Sequence, residues 1–241
     1  MSQKPGFEFD QADAQKLLAQ LASALAHDVR TPIRHAGQFL DIYESERDSQ
    51  PNGVAQEHLD TAKVSIDLVA EMVEGLIGYI RVGRGLSQPE PVELKKLTET
   101  ALSRVKFALD VEAADFEFSG DSKVLGHPVR LMELFSNLFE NAIQFAKRDQ
   151  IPTIRIYSTR TDDWLELEIS DQGRGIRDEQ VEMAFGLFHS LENSDTGLKG
   201  LGIGLPLSQR IAELHGGSLT VIPEGDDRRG LKLLLRLPAC D

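Results

Sequence analysis

The chain has almost no cysteine. Among its 241 residues only Cys240 carries a thiol. No internal disulfide can form and no thiolate-clustered metal site can be built, which fits a reducing compartment. Long apolar runs are missing as well: no stretch approaches the roughly 20 residues needed to cross a bilayer. Positive charge is scarce. There are 26 Lys and Arg against 39 Asp and Glu, a net charge of −13. That balance argues against sequence-independent nucleic-acid binding, which needs a basic footprint. Residues Met1 to Gln11 are polar and acidic and do not read as a signal peptide. The expectation is a cytoplasmic protein, or the cytoplasmic piece of a larger one, with no direct membrane insertion. What the chain does have is a 41% apolar content, ordinary for a folded protein and sufficient for real cores.

Two kinds of patterning divide it. From Asp13 to about Glu46 the chain reads as helix, with Leu18, Leu21 and Leu25 at spacings of three and four. Ile33, Ala36, Leu40 and Tyr43 resume the rhythm after a phase slip at His27-Asp28-Val29-Arg30-Thr31-Pro32, where proline removes a backbone donor. After the breaker Ser49-Gln50-Pro51-Asn52-Gly53, the residues Leu59, Ala62, Ile66, Val69, Val73, Leu76 and Ile80 keep heptad spacing. A short turn between two such helices predicts an antiparallel hairpin. Its apolar seam would be covered by a second copy in a dimeric four-helix bundle, or by a larger core within one monomer.

Gly83, Gly85, Ser87, Pro89 and Pro91 then punctuate a linker. Beyond it the pattern predicts helices over 92–109, 129–147, 181–185 and 205–215, the last stopped by Gly216-Gly217. Period-two strands are expected at 153–158 and 165–169. A hairpin of 218–222 and 231–237 is expected around Gly225-Asp226-Asp227. This order predicts helices layered on one face of a mixed sheet, an α+β two-layer sandwich. The expected domains are a helical hairpin over 1–84, a linker over 85–91 and a second domain over 92–241.

Four clusters can carry chemistry. In Asp171-Gln172-Gly173-Arg174-Gly175-Ile176, a carboxylate and two glycines follow an apolar strand. Glycine lets a ligand approach the backbone, and the carboxylate can accept from an exocyclic amine such as adenine's; the same string is also a good turn. Gly200-Leu201-Gly202-Ile203-Gly204-Leu205 opens into a helix, where freed amides can cradle phosphate or simply form a hinge. It does not follow a first βαβ strand, so a dinucleotide fingerprint is rejected. Glu133, Asn137 and Asn141 form one polar stripe on a helix. An asparagine carbonyl suits Mg²⁺, though such a stripe is also what a solvated face looks like. His27-Asp28 pairs an imidazole with a carboxylate that can fix its tautomer and take its proton, or is an idle exposed pair.

Taken in order, these clusters resemble sensor histidine kinases. His27 to Pro32 resembles the phosphoacceptor box, Asn137-Leu138-Phe139-Glu140-Asn141-Ala142 the Asn box, and 171–176 and 200–205 the two glycine boxes. Phe185 and Phe188 sit like the phenylalanine box. Gly126 to Leu131 resembles the lead-in to the Asn helix, with histidine where aspartate is common. The tract Leu76 to Arg84 is similar to the phytochrome-related branch. The resemblance implies a helical dimerisation and histidine-phosphotransfer domain followed by a Bergerat-type ATPase domain, working as a homodimer. By it, His27 is the phosphoacceptor and Asp28 its proton acceptor. Thr31 is linked to orienting water for phosphatase action. Asn141 would ligate Mg²⁺ with Asn137 in support, and Asp171 would read the adenine of ATP in a pocket shaped by Gly173 and Gly175. Gly200, Gly202 and Gly204 would close on the phosphates beneath a lid over 186–199. The phosphoryl group would pass to an aspartate on a response regulator receiver domain, with sensory input from a missing domain or another protein.

One departure stands out. Many relatives carry lysine where this chain has Gln144; Lys147, Arg148 or Lys199 could substitute if long enough to reach phosphate. If none does, the alternative is a catalytically weak phosphotransfer hub or scaffold. An ATP-driven machine of the gyrase, mismatch-repair or chaperone type would need a catalytic glutamate where Asn137 stands. An anti-sigma serine kinase would lack the hairpin of residues 1–84.

Overall fold

The computed structural model describes residues 21–22, 24–46, 54–83, 88–181, 183–189, 201–223 and 230–240. They form two compact units that divide between Ile80 and Arg81.

The first unit is helical. A π-helical turn over Ala24–Val29 runs into α1 (Arg30–Glu46), and α2 spans Val54–Arg81. The π-turn sits at the phase slip read from the sequence. A turn that closes on the fifth residue shifts the register of the following face, and Pro32 can offer no amide in the next turn. The helices pair as a hairpin near the α1 C-terminus. Phe39 stacks on the His58 ring at 5.9 Å, and His58 Nε2 lies 3.4 Å from the Glu46 carboxylate. The heptad positions of α2 split in two: Ala62 and Leu76 are buried, whereas Ile66 and Val73 are exposed.

The second unit is the expected two-layer sandwich. Its strands are β2 (Asp115–Gly120), β4 (Thr153–Thr161), β5 (Trp164–Asp171), β6 (Ser218–Val221) and β7 (Lys232–Pro238), in the order β2-β4-β5-β7-β6. Only β2 and β4 run parallel. Period-two alternation puts Ile154, Ile156, Leu165, Leu167, Leu233, Leu235 and Leu219 on one buried face. Against it pack α4 (Pro128–Gln144) and α5 (Gly204–Leu214), with α3 (Leu94–Ala108) against α4 and β1 (Glu90–Glu93). Leu131, Leu134, Phe135 and Phe139 of α4 are fully buried, and each such side chain contributes about 1.5–3 kcal/mol. The opposite face is a charged ladder: Lys232 meets Glu168 at 2.9 Å, and Arg236 meets Glu166 at 3.1 Å beneath its contact with the Trp164 ring.

Three strands escaped the sequence reading. Glu90–Glu93 (β1) and Lys123–Gly126 (β3) form an antiparallel ribbon beside the main sheet, and β2 is its edge. The stretch expected as helix at 181–185 instead contributes to short 3₁₀ turns, Asp178–Gln180 and Met183–Phe185. The expected hairpin turn at Gly225–Asp227 lies outside the described residues, although β6 and β7 do pair antiparallel.

Candidate functional site

In the helical unit, His27 is borne on the π-turn with its side chain 87% exposed. Its Nδ1 lies 2.9 Å from Asp28 Oδ1. A carboxylate at Nδ1 favours the tautomer with the proton there, and so leaves Nε2 with a lone pair. Thr31 donates its hydroxyl proton to the His27 backbone carbonyl at 3.1 Å, as Ser and Thr often do within helices.

In the second unit, a small, partly open pocket lies between α4, α5 and the sheet. Leu138, Ala142, Ile154, Ile169 and Leu233 make its walls apolar, and Asn141 and Asp171 supply polarity. Asp171 sits at the C-terminal end of β5. One of its oxygens accepts from the Gly173 amide at 2.7 Å and the Leu231 amide at 3.1 Å. Those two donors fix the carboxylate from both sides of the strand end.

Close backbone contact explains the glycines here. A Cβ on Gly173 would fall 2.6 Å from the Phe145 carbonyl, at the end of α4. Gly175 has φ +66 and backs onto Gly230, and a Cβ on Gly230 would collide with the Asp171 backbone. The first glycine string is therefore wedged between the C-terminus of α4 and the start of β7.

The second string closes the other side. Phe188 donates its amide to the Gly202 carbonyl at 3.0 Å, and Gly202 has φ +66 with the His189 backbone 2.8 Å from where a Cβ would lie. Gly204 then begins α5, whose N-cap Ile203 makes no side-chain cap. The Gly204 and Leu205 amides of that first turn, the next residue being Pro206, are available to an anion. Gly204 packs beside Asn141 and Asn137, at 3.5 and 3.7 Å from its ideal Cβ position. Asn137 Nδ2 is buried with no hydrogen-bond partner among the described residues. The orphaned Asn137 amide and the uncapped helix start can donate to phosphate oxygens, and the Asn141 carbonyl suits a Mg²⁺ carried on them. Among the described residues no three His, Cys, Asp or Glu side chains converge on a metal site of their own. Lys199 and Gly200 lie outside the described residues, as does the lid from 190 onward. Gln144 spends its amide on Glu140 at 3.1 Å.

Of the residues singled out from the sequence, Asn141 and Asp171 line this pocket and Asn137 and Gly204 lie beside Asn141; the groups that hold them were not foreseen. Leu231, Gly230 and the Phe188–Gly202 bond are contacts across long sequence separations, for which a linear pattern carries no signal. The sequence reading also passed over His215, buried where α5 ends.

Residues 126–240 match the family described as histidine kinase-, DNA gyrase B-, and HSP90-like ATPases. Phytochrome-like protein Cph1 of Synechocystis is 26% identical over 84% of this chain, which spans 27% of that protein. Among solved structures, histidine kinase ThkA in complex with response regulator protein TrrA shares the fold, with TM-score 0.67 and 17% identity over 95% of this chain and 64% of that one. Full-length ShkA in complex with AMPPNP aligns with TM-score 0.57 and 17% identity over 92% of this chain and 46% of that one. The similarity is to sensor histidine kinases throughout, in agreement with the resemblance carried by the motifs, and the second unit has the Bergerat ATPase fold.

Proposed function

We propose that this chain, whose residues 126–240 are a histidine kinase-, DNA gyrase B- and HSP90-like ATPase domain, is an ATP-dependent protein-histidine kinase that phosphorylates His27. The observation carrying this reading is the exposed His27 ring with its Nδ1 held by Asp28, in a chain that also has the Asp171 pocket. ATP is the phosphoryl donor. Its adenine fits the apolar slot, with the amine donating to Asp171, and its phosphates meet Asn137, Asn141 and the first turn of α5. Mg²⁺, held by Asn141 together with water and phosphate oxygens, would neutralise charge on the transferred group.

The His27 Nε2 lone pair attacks the γ-phosphorus, the bond to the bridging oxygen breaks and ADP leaves. Asp28 takes the Nδ1 proton as the ring becomes cationic. The protein's contribution is alignment, so the residues joining 84 to 91 must let the two units meet. From His27 the phosphoryl group passes to an aspartate of a response-regulator receiver domain. The complex of ThkA with TrrA is the analogy for that partner. Exposed Ile66 and Val73, on the α2 seam, favour a homodimer joined through the hairpin. A division into a phosphotransfer hairpin over 1–84, a linker over 85–91 and an ATP-binding domain over 92–241 follows, and no described helix is long and apolar enough to cross a membrane. We assign the unit to the cytoplasm, with its input from another domain or protein. Phosphatase action through Thr31 would require its hydroxyl to leave the His27 carbonyl.

The Gln144–Glu140 bond favours a second reading, a weakly catalytic hub that binds nucleotide and a partner. Incubation with γ-labelled ATP and Mg²⁺, beside His27→Ala, separates them. Acid-labile label lost in the variant supports the kinase. Bound nucleotide without label supports the hub, and label that persists without His27 overturns both.

A further inference from the structure

Helices α4 and α5 lie antiparallel, joined at three levels. Gly204 meets Asn141 at the nucleotide end, the Ser208 hydroxyl reaches the Leu134 carbonyl at 3.5 Å midway, and His215 meets His127 at the far end. His215 is 8% exposed and has both ring nitrogens engaged. Nδ1 lies 2.7 Å from the Ile211 carbonyl, and Nε2 accepts from the His127 backbone amide at 2.9 Å. Only the neutral ring with its proton on Nδ1 satisfies both contacts. The His127 ring lies 5.3 Å away, and its Nδ1 is buried with no hydrogen-bond partner among the described residues.

We propose that His215 and His127 form a proton-sensitive latch on the ATPase unit: acid breaks the bond across the far end of the α4–α5 pair and loosens the nucleotide end. This rests on the nucleotide reading for its functional half alone. A proton on Nε2 would set two N–H groups against each other, and a second cation on His127 would repel it. The nearby charges offer no buried counter-ion: on α5 itself Arg210 is a cation and Glu213 is exposed. From α4 comes Arg130, itself paired with Glu133 at 2.8 Å. The packed strand β6, Ser218–Val221, has no charged residue. On β7, Lys232 and Arg236 are engaged by Glu168 and Glu166. Lys123 of β3 is exposed.

Burial, with the Arg130 charge in support, holds His127 below the ordinary histidine value. Burial also lowers His215, and His127 adds to that against the opposing Ile211 hydrogen bond. Histidines with lowered values in the folded state take up protons on unfolding. Their stabilisation is complete above the unfolded value of about 6.5 and is lost as pH falls below it.

The test is denaturant unfolding and ATP binding by calorimetry between pH 8 and 5.5, for the wild-type chain, His215→Gln and His127→Asp. The unfolding constant of the wild type should rise up to about tenfold per pH unit for each proton taken up, with ATP affinity falling in parallel. His215→Gln should remove its share of that slope. His127→Asp, by giving a protonated His215 a counter-charge, should shallow it. His127 keeps its own share of the slope, so a slope undiminished by His215→Gln overturns the latch. Should that variant not fold, ring ¹⁵N shifts of the wild type decide: protonation of His215 that tracks the loss of ATP affinity supports the latch, and a ring still neutral where affinity has fallen overturns it. Absence of ATP binding at pH 8 would defeat the nucleotide reading, while the unfolding slope would still judge the latch.

Discussion

Nδ1 of His27 lies 2.9 Å from Oδ1 of Asp28, its neighbour in the chain. The pairing turns one ring nitrogen toward a base and leaves the other to solvent. Asp28→Asn keeps an oxygen to orient the ring but cannot take a proton. General-base groups typically contribute about 10²–10⁴-fold, so the initial rate of His27 labelling should fall by about 10²-fold or more. ATP affinity should not change. Labelling at the wild-type rate would remove Asp28 from the chemistry.

Asp171 combines recognition with structure, since it accepts from the amides of Gly173 and Leu231. Asp171→Ala leaves two part-buried donors without their acceptor, a loss of about 1 kcal/mol each, so both melting temperature and ATP affinity should drop. Asp171→Asn keeps an acceptor oxygen. It should fold better than the alanine variant and still bind ATP poorly, because its amide cannot serve the adenine amine in the same way. Thermal melts beside calorimetry would expose the difference, and equal affinity in all three proteins would refute adenine recognition here.

Gly202 and Gly204 sit two residues apart but should respond differently to alanine. At Gly202 a Cβ meets the His189 backbone at 2.8 Å with φ at +66, a conformation that costs an L-residue about 1–2 kcal/mol before the clash is counted. Gly202→Ala should therefore destabilise the second unit. At Gly204 the nearest atom is 3.5 Å away, ordinary contact, on a helical residue. Gly204→Ala should leave the melting temperature level or raised, and any defect should appear in nucleotide affinity alone. A large loss of stability at Gly204 would contradict this packing.

Gln144→Lys tests the departure from the family pattern. Lysine can meet phosphate or pair with Glu140, which now holds the glutamine amide. An i,i+4 Glu–Lys pair is worth only about 0.2–0.5 kcal/mol, little enough for a phosphate to compete. ATP affinity and the rate of His27 labelling should both increase several-fold, on the order of 1 kcal/mol. No change in either would mean that the phosphates lie out of reach of this position.

Much of this was legible in the sequence where local pattern and global role agree. The heptads of α2, the alternation of β4 and β5, and the polar stripe on α4 all name their own elements. Others were hidden for physical reasons. Phe116 and Phe118 alternate, but in an edge strand only six residues long and flanked by acids. β1 contains Pro91 and is held by one partner, β3. At 181–185 the apolar spacing suggested a helix, yet the segment runs into Gly186 and the Phe188–Gly202 anchor and makes only 3₁₀ turns. The glycine strings announced turns, but not that Gly230 would back one of them or His189 the other. Those identities are set by tertiary contact.

The hydrogen bond from the Phe188 amide to the Gly202 carbonyl has a bearing on how such a protein can be altered. It ties Phe188 to the glycine two places before α5, so the described backbone on either side moves as one piece. A substitution that breaks this bond is felt at the start of α5 as well as at Phe188, and neither end can be redesigned alone.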